Sequence, residues 1–185
     1  TGREKTTSYD DADYYVTEES TVPKWQGGFG TKVRFYGFDL SVNCPYQLGG
    51  KTLDASYASF MASPSSSLGG RNFHKDLLDA WTPENSTSNI PRFQYGDLYS
   101  SGTSTRFLTS SSYLNINNIN FGYTFPTSIT KKLMLNSLRL YVACENVVYF
   151  SARKGFDPRL SYSSASNSTT YSPMRTISGG LTVQF

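Results

Sequence analysis

Charge is what this sequence most plainly lacks. Asp, Glu, Lys and Arg make up 17% of its 185 residues, below the usual share for a soluble globular chain. The net charge of +3 comes from scattered Lys and Arg. No basic stripe forms, which excludes nucleic acid as a partner. No apolar run approaches the ~20 residues of a membrane-spanning helix, but a barrel strand needs only ~9–11 alternating residues and is not excluded. The single His, His74, has no second His or Cys near it to share a metal. No nucleophile motif accompanies it, and Asp76, Asp79 and Glu84 read as solvated loop charges. GGFG and LGGR are followed by no helix, so no phosphate loop is present. No catalytic residue, metal or cofactor is expected, and the chain is read as a non-enzyme. Cys44 and Cys144 cannot form the disulfide framework of a small secreted domain and read as small apolar residues within strands. The opening TGREKTTSYDD has no signal-peptide character, so the start of an exported protein is expected to be processed or missing.

Aromatic residues, by contrast, reach 15%, and Ser, Thr, Asn and Gly fill much of the remainder. Such a composition favours strands over helices. Two settings use it: secreted β-sandwiches, and membrane barrels with aromatic girdles and polar lumens.

Residues 1–27 are polar and irregular and read as a loop. In GFGTKVRF, Phe29, Thr31, Val33 and Phe35 share one face. In FDLSVNC, Phe38, Leu40, Val42 and Cys44 do the same, and Tyr36-Gly37 between the runs signals a tight turn. Together these predict a hairpin over 28–47. Pro45, which has no amide to donate, puts the regularity of its second strand in doubt. Residues 48–112 form a long polar loop, in which NFHKDLLDAW predicts a short helix from the spacing of Phe73, Leu77, Leu78 and Trp81. A strand pair follows over 113–150. Ile119, Phe121, Tyr123 and Phe125 alternate cleanly, whereas Leu114 and Ile116 have the opposite parity, so a bulge is expected near Asn117. TSITKKLMLN is a short connector after Pro126. Leu138, Leu140, Val142, Cys144, Val148 and Phe150 share a face in the next strand. Residues 151–173 are a second long loop. The strand over 174–185 puts Ile177, Gly179, Leu181, Val183 and Phe185 on one face.

Short and long connections therefore alternate along the chain. An antiparallel meander with short turns at one end and long loops at the other is the layout of an outer-membrane barrel, with the apolar face toward lipid and the polar face toward a wet lumen. The fold class expected is all-β, a piece of a large transmembrane barrel with a short helix in a long extracellular loop. The aromatic final residue, in phase with the apolar face, fits that class. Ile177, Leu181, Val183 and Phe185 are the candidate assembly residues. In the long loop, Tyr57, Phe60, Trp81, Tyr95 and Tyr99 are candidate contacts to a sugar, peptide or partner, or else pack the loop on itself.

Several segments also resemble a known family in their order along the chain. They are PKWQGGFGTKVRFYGFDL, the loop segment running to WTPEN, YLNINNINFGYTFP, and the SLRLYVACENVVYF strand that runs into GFDP. These resemble the C-terminal barrel region of SusC/RagA-like TonB-dependent outer-membrane transporters, over residues 23–185. The resemblance implies a barrel of about 22 strands around a plug, of which this chain holds five strands and no plug. It implies import of glycan or peptide fragments at the bacterial outer membrane. The partners it implies are a SusD-like surface lipoprotein, the TonB complex acting through an absent N-terminal part, outer-membrane lipid and the barrel-insertion machinery. The alternative is a secreted β-sandwich that binds carbohydrate. A hydrolase fragment is disfavoured by the missing catalytic constellation.

Overall fold

The computed structural model describes residues 13, 16–66, 70–97, 102, 104–159, 166–167 and 173–185. Its main body is one five-stranded antiparallel sheet. The strands are β1 (Trp25–Phe35), β2 (Phe38–Leu48), β5 (Tyr113–Thr124), β6 (Ser137–Ser151) and β8 (Thr176–Gln184), hydrogen-bonded in that order. All five expected strands are present to within a few residues, and each pairs with its neighbour in sequence order.

The β1–β2 turn closes with Phe35 opposite Phe38. Tyr36 and Gly37 both adopt positive φ, 47° and 87°, as a two-residue type I′ turn requires. Only glycine fits the second position, because a Cβ on Gly37 would stand 2.6 Å from the Thr124 carbonyl oxygen. The doubt over Pro45 resolves locally. β2 keeps an unbroken register with β1 from Leu48 to Phe38, while its ladder with β5 shifts between Asn43 and Tyr46, at the residue without an amide hydrogen. The β5–β6 ladder shifts between Ile116 and Asn118, where the parity of Leu114 and Ile116 required a bulge. Asn146, the exception to the β6 pattern, takes a positive φ of 49° opposite this shift.

Cross-strand pairing fixes two faces. Trp25, Phe29, Val33, Leu40, Val42, Ile119, Phe121, Leu140, Val142, Ile177 and Leu181 lie on one, through pairs such as Val42 with Ile119, Ile119 with Cys144, and Cys144 with Ile177. Lys32, Arg34, Asp39, Ser41, Asn120, Arg139, Tyr141, Ser178 and Thr182 lie on the other. The apolar face is bare. Ile177 and Leu181 are 70% and 64% exposed. Water does not leave so large a contiguous apolar surface uncovered without cost; lipid does.

A second, smaller layer forms from the two long loops. β3 (Lys51–Asp54) pairs antiparallel with β4 (Leu108–Ser110) and parallel with β7 (Ser166–Asn167). Helix α1 (Ala55–Phe60) continues directly from β3, with the Asp54 carboxylate accepting from the Tyr57 amide at its start. Most of the buried side chains sit in or beside this layer: Met61, Ala62, Ala80, Phe107 and Phe156, with Gln47, Thr52, Asp54 and Ser111. The helix expected within 72–81 is only a five-residue 3-10 helix, Lys75–Asp79. His74 Nδ1 accepts from the Asp76 amide at its start. At its end the Asp79 carbonyl accepts from Asn85 Nδ2 and Ser88 Oγ rather than from a following helical amide, and Ala80 turns extended. Helix α1, by contrast, lay in sequence with no helical periodicity to announce it. The 126–136 connector folds as a short helix α2 (Thr127–Thr130) and a 3-10 turn over Lys131–Leu133.

Candidate functional site: a polar wall and a layer of joined loops

The polar face of the sheet is a concave wall enclosing about 750 Å3 near the short-turn end. At its centre Arg139 bridges three strands. Its Nε donates to Asp39 Oδ1 at 2.9 Å, and its Nη2 donates to Asp39 Oδ2 at 2.6 Å and to Asn120 Oδ1 at 2.8 Å. Gly122 makes this possible. It lies opposite Asp39 in the ladder, and a Cβ there would meet the guanidinium of Arg139. Tyr141 stands beside Arg139 and lies over Gly180 in the same way: a Cβ on Gly180 would come within 2.6 Å of the Tyr141 hydroxyl. Lys32 and Arg34 of β1 also line the wall.

At the other end, the loop layer is built around Tyr57. Its hydroxyl donates to Asp76 Oδ2 at 2.8 Å. Its ring packs edge-on against His74 and Phe107 and carries the Arg153 guanidinium 3.8 Å from its centroid. Arg153 in turn is ion-paired with the buried Asp54. Burial, then the hydrogen bond to the Asp76 carboxylate and its charge, push the Tyr57 phenol up to about 12. Burial alone draws the Arg153 guanidinium down from its ordinary value. Nearby, Arg159 forms a forked pair with Asp157, with its Nη2 donating to Asp157 Oδ2 at 2.6 Å, and this pairing pushes its pKa up. Arg159 also donates to Asn146 Oδ1 at 3.1 Å and lies over the Tyr149 ring. The layer is stitched to the sheet by Gln47, whose Nε2 donates to the Ser111 carbonyl and hydroxyl oxygens at 3.1 and 3.2 Å.

Of the loop aromatics picked from sequence, Tyr57 and Phe60 meet at a small cavity of about 180 Å3 with Asp54, His74 and Arg153. Tyr57 is fully engaged in packing there. Trp81 and Tyr95 do not line that cavity; Trp81 closes a local loop through its amide to the Ile90 carbonyl at 2.9 Å, and Tyr95 is well exposed. Tyr99 lies outside the described residues. Ile177, Leu181 and Val183 lie on the apolar face opposite Cys144, Leu140 and Leu138, and Phe185 follows the last paired residue, Gln184. Sequence reasoning missed Asp39, Arg139, Arg153 and Arg159. The first two had a signal: in the alternating runs, Asp39 and Arg139 carry opposite charges at polar-face positions.

Among the described residues, no group of His, Cys, Asp and Glu could hold a metal ion, and no helix is long and apolar enough to cross a membrane; the latter says nothing of barrels.

No family model matches the chain. It is similar to two TonB-dependent receptors of Formosa agariphila. It is 27% identical to receptor P3 over 174 residues, which is 89% of this chain and 16% of that protein. It is 26% identical to receptor P39 over 145 residues, 72% of this chain and 13% of that protein. The sheet superposes on a solved structure of the RagAB peptide transporter with a TM-score of 0.74 at 22% identity, covering 91% of this chain and 18% of that one. The RagAB peptide importer in its closed-closed state gives 0.75 at 22% identity. The chain is thus rich in strands and similar in sequence to TonB-dependent receptors, as the segment resemblances indicated. More narrowly, its fold is that of the matching part of the RagAB transporter structures, and it spans less than a fifth of the length of the proteins it matches.

Proposed function

We propose that residues 1–185 form the C-terminal strands of an outer-membrane TonB-dependent importer of glycan or peptide fragments, working with a SusD-like surface lipoprotein. The observation that carries this reading is the five-stranded sheet with one bare apolar face and one charged, hydrogen-bonded face. A carbohydrate-binding β-sandwich requires a second sheet over the apolar face, and among the described residues none is there. In this reading the apolar face meets lipid, the Asp39–Arg139–Asn120 wall lines the lumen, and the joined loops 48–112 and 151–173 lie at the extracellular mouth. The turns at 36–37 and 126–136 then lie on the periplasmic side. TonB acts through a part of the protein outside these residues, and Ile177, Leu181, Val183 and Phe185 serve membrane assembly.

The test uses the natural protein that carries this sequence, produced in a bacterial host with and without TonB. The expected result is a heat-modifiable band in detergent-extracted outer membrane, and uptake of labelled oligosaccharide or oligopeptide only where TonB is present. Quantitative release of folded protein into buffer without detergent would refute the barrel and restore the sandwich.

A further inference from the structure

A second cleft, of about 540 Å3, lies beside the upper half of β6, beyond the start of β8. Four cationic side chains line it: Arg153, Lys154, Arg159 and Arg175, along with Asn146 and Tyr149. Arg153 and Arg159 are held rigidly by Asp54 and Asp157. Arg175 is braced by Nε donating to the Val147 carbonyl at 2.9 Å, which leaves its terminal nitrogens for other acceptors. Among the described residues neither Lys154 nor Arg175 is paired with a carboxylate. The sequence from 151 to 175 holds these four cations and one acid, Asp157; its remaining polar residues are mainly Ser, Thr, Tyr and Asn. With Asp54 and Asp157 pairing Arg153 and Arg159, the charges of Lys154 and Arg175 give the cleft an excess of positive charge, and Asn146, Tyr149 and Ser151 add amide and hydroxyl groups to its lining. Tyr149, under Arg159, lies on the polar face of the sheet opposite Asn115, so the cleft borders that face.

We propose that this cleft is a selectivity site for anionic solute, binding a carboxylate or sulfate group through Lys154 and Arg175, with Arg153 and Arg159 as fixed supports. Two uncompensated cations beside two carboxylate-paired arginines leave the cleft a net positive charge, which favours an oligoanion over its neutral counterpart, both by direct pairing and by raising its local concentration. A bound anion pairs with the two uncompensated charges, Lys154 and Arg175, and salt screens that attraction, so binding weakens with added salt.

The proposal rests on the importer reading for its biological meaning, but its test does not need transport. The natural full-length protein, purified in detergent, is titrated with four labelled probes: a sulfated hexasaccharide, its desulfated form, a Glu-rich hexapeptide and its Gln counterpart. The expected result is at least ten-fold tighter binding of one anionic probe than of its neutral partner, lost on raising salt from 0.05 to 0.5 M. Lys154→Glu with Arg175→Glu removes that preference and leaves the neutral probe unchanged; heat-modifiability on gels checks that the variant barrel is folded. Where it is not, Lys154→Ala and Arg175→Gln serve, and the salt titration of the unaltered protein stands alone. Which anionic probe binds identifies glycan or peptide as the source. Equal binding of charged and neutral probes, or a preference that survives either high salt or the folded variant, overturns the site. TonB-independent uptake would instead refute the importer reading and leave the site standing.

Discussion

The Asp39–Arg139 pair supplies the sharpest test of the wall. Its forked geometry gives two charge-assisted hydrogen bonds, with a third from Asn120. The two side chains are 18% and 27% exposed, so water competes poorly for them. An exposed pair couples by ~0.2–1 kcal/mol. A shielded, forked one should exceed that, with hydrogen bonds to charged groups contributing ~1.5–3 kcal/mol each. The experiment is a double-mutant cycle of Asp39→Asn and Arg139→Gln. Stability is read from urea titrations of the natural protein refolded into vesicles, with heat-modifiability reporting the folded fraction. A coupling of ~1.5–3 kcal/mol is expected. The cycle is then repeated in a Gly122→Ala background. A Cβ at that position occupies the seat of the guanidinium, so Arg139 must lift from Asp39. The coupling should fall into the exposed range of ~0.2–1 kcal/mol. A coupling that starts below ~0.5 kcal/mol, or one that Gly122→Ala leaves intact, would refute the idea that the glycine seats the bridge.

Other consequences are open to direct measurement. Arg153→Ala strands the Asp54 carboxylate, which is 4% exposed, and should lower the opening free energy of the loop layer by ~3–5 kcal/mol in hydrogen exchange of residues 51–62. Tyr57 should titrate near pH 12 by phenolate absorbance, against 10 for an unfolded tyrosine. Because the folded state holds its proton longer, this contribution to loop-layer stability is complete below pH 10 and is lost as pH rises to about 12; a slope of opposite sign would contradict the burial of Tyr57 and its bond to Asp76. Maleimide should label a cysteine placed at Ser86 in intact cells and spare one placed at Ser128; the reverse pattern inverts the topology. Phe185→Ala should lower the amount of folded barrel while uptake per folded copy stays near normal, and normal barrel levels with lost uptake would move that residue from assembly to transport.

Much of the sheet was legible because a strand with one apolar face and one polar face must alternate with period two, and most of each run here does. Even the bulge could be found, since Leu114 and Ile116 changed parity midway through an otherwise regular strand. The loop layer was not legible. β3 is four residues long, β4 three and β7 two, too short for a period to register. What holds them is a set of contacts between residues far apart in the chain, such as Arg153 with Asp54, which no local pattern records. The 72–81 segment had helical spacing but lost its helix to side chains, His74, Asn85 and Ser88, that took its terminal hydrogen bonds. Gly122 was visible only as a polar-face position; that it seats an arginine needs the third dimension.

The small sheet of β3, β4 and β7 joins two loops that are separate in sequence. β3 starts the first loop, β4 ends it, and β7 belongs to the second. A hand laid on one loop therefore moves the other. The Arg153–Asp54 ion pair ties them a second time, since Asp54 ends β3 and Arg153 opens the second loop. The two long connections therefore form one joined layer rather than two independent flaps.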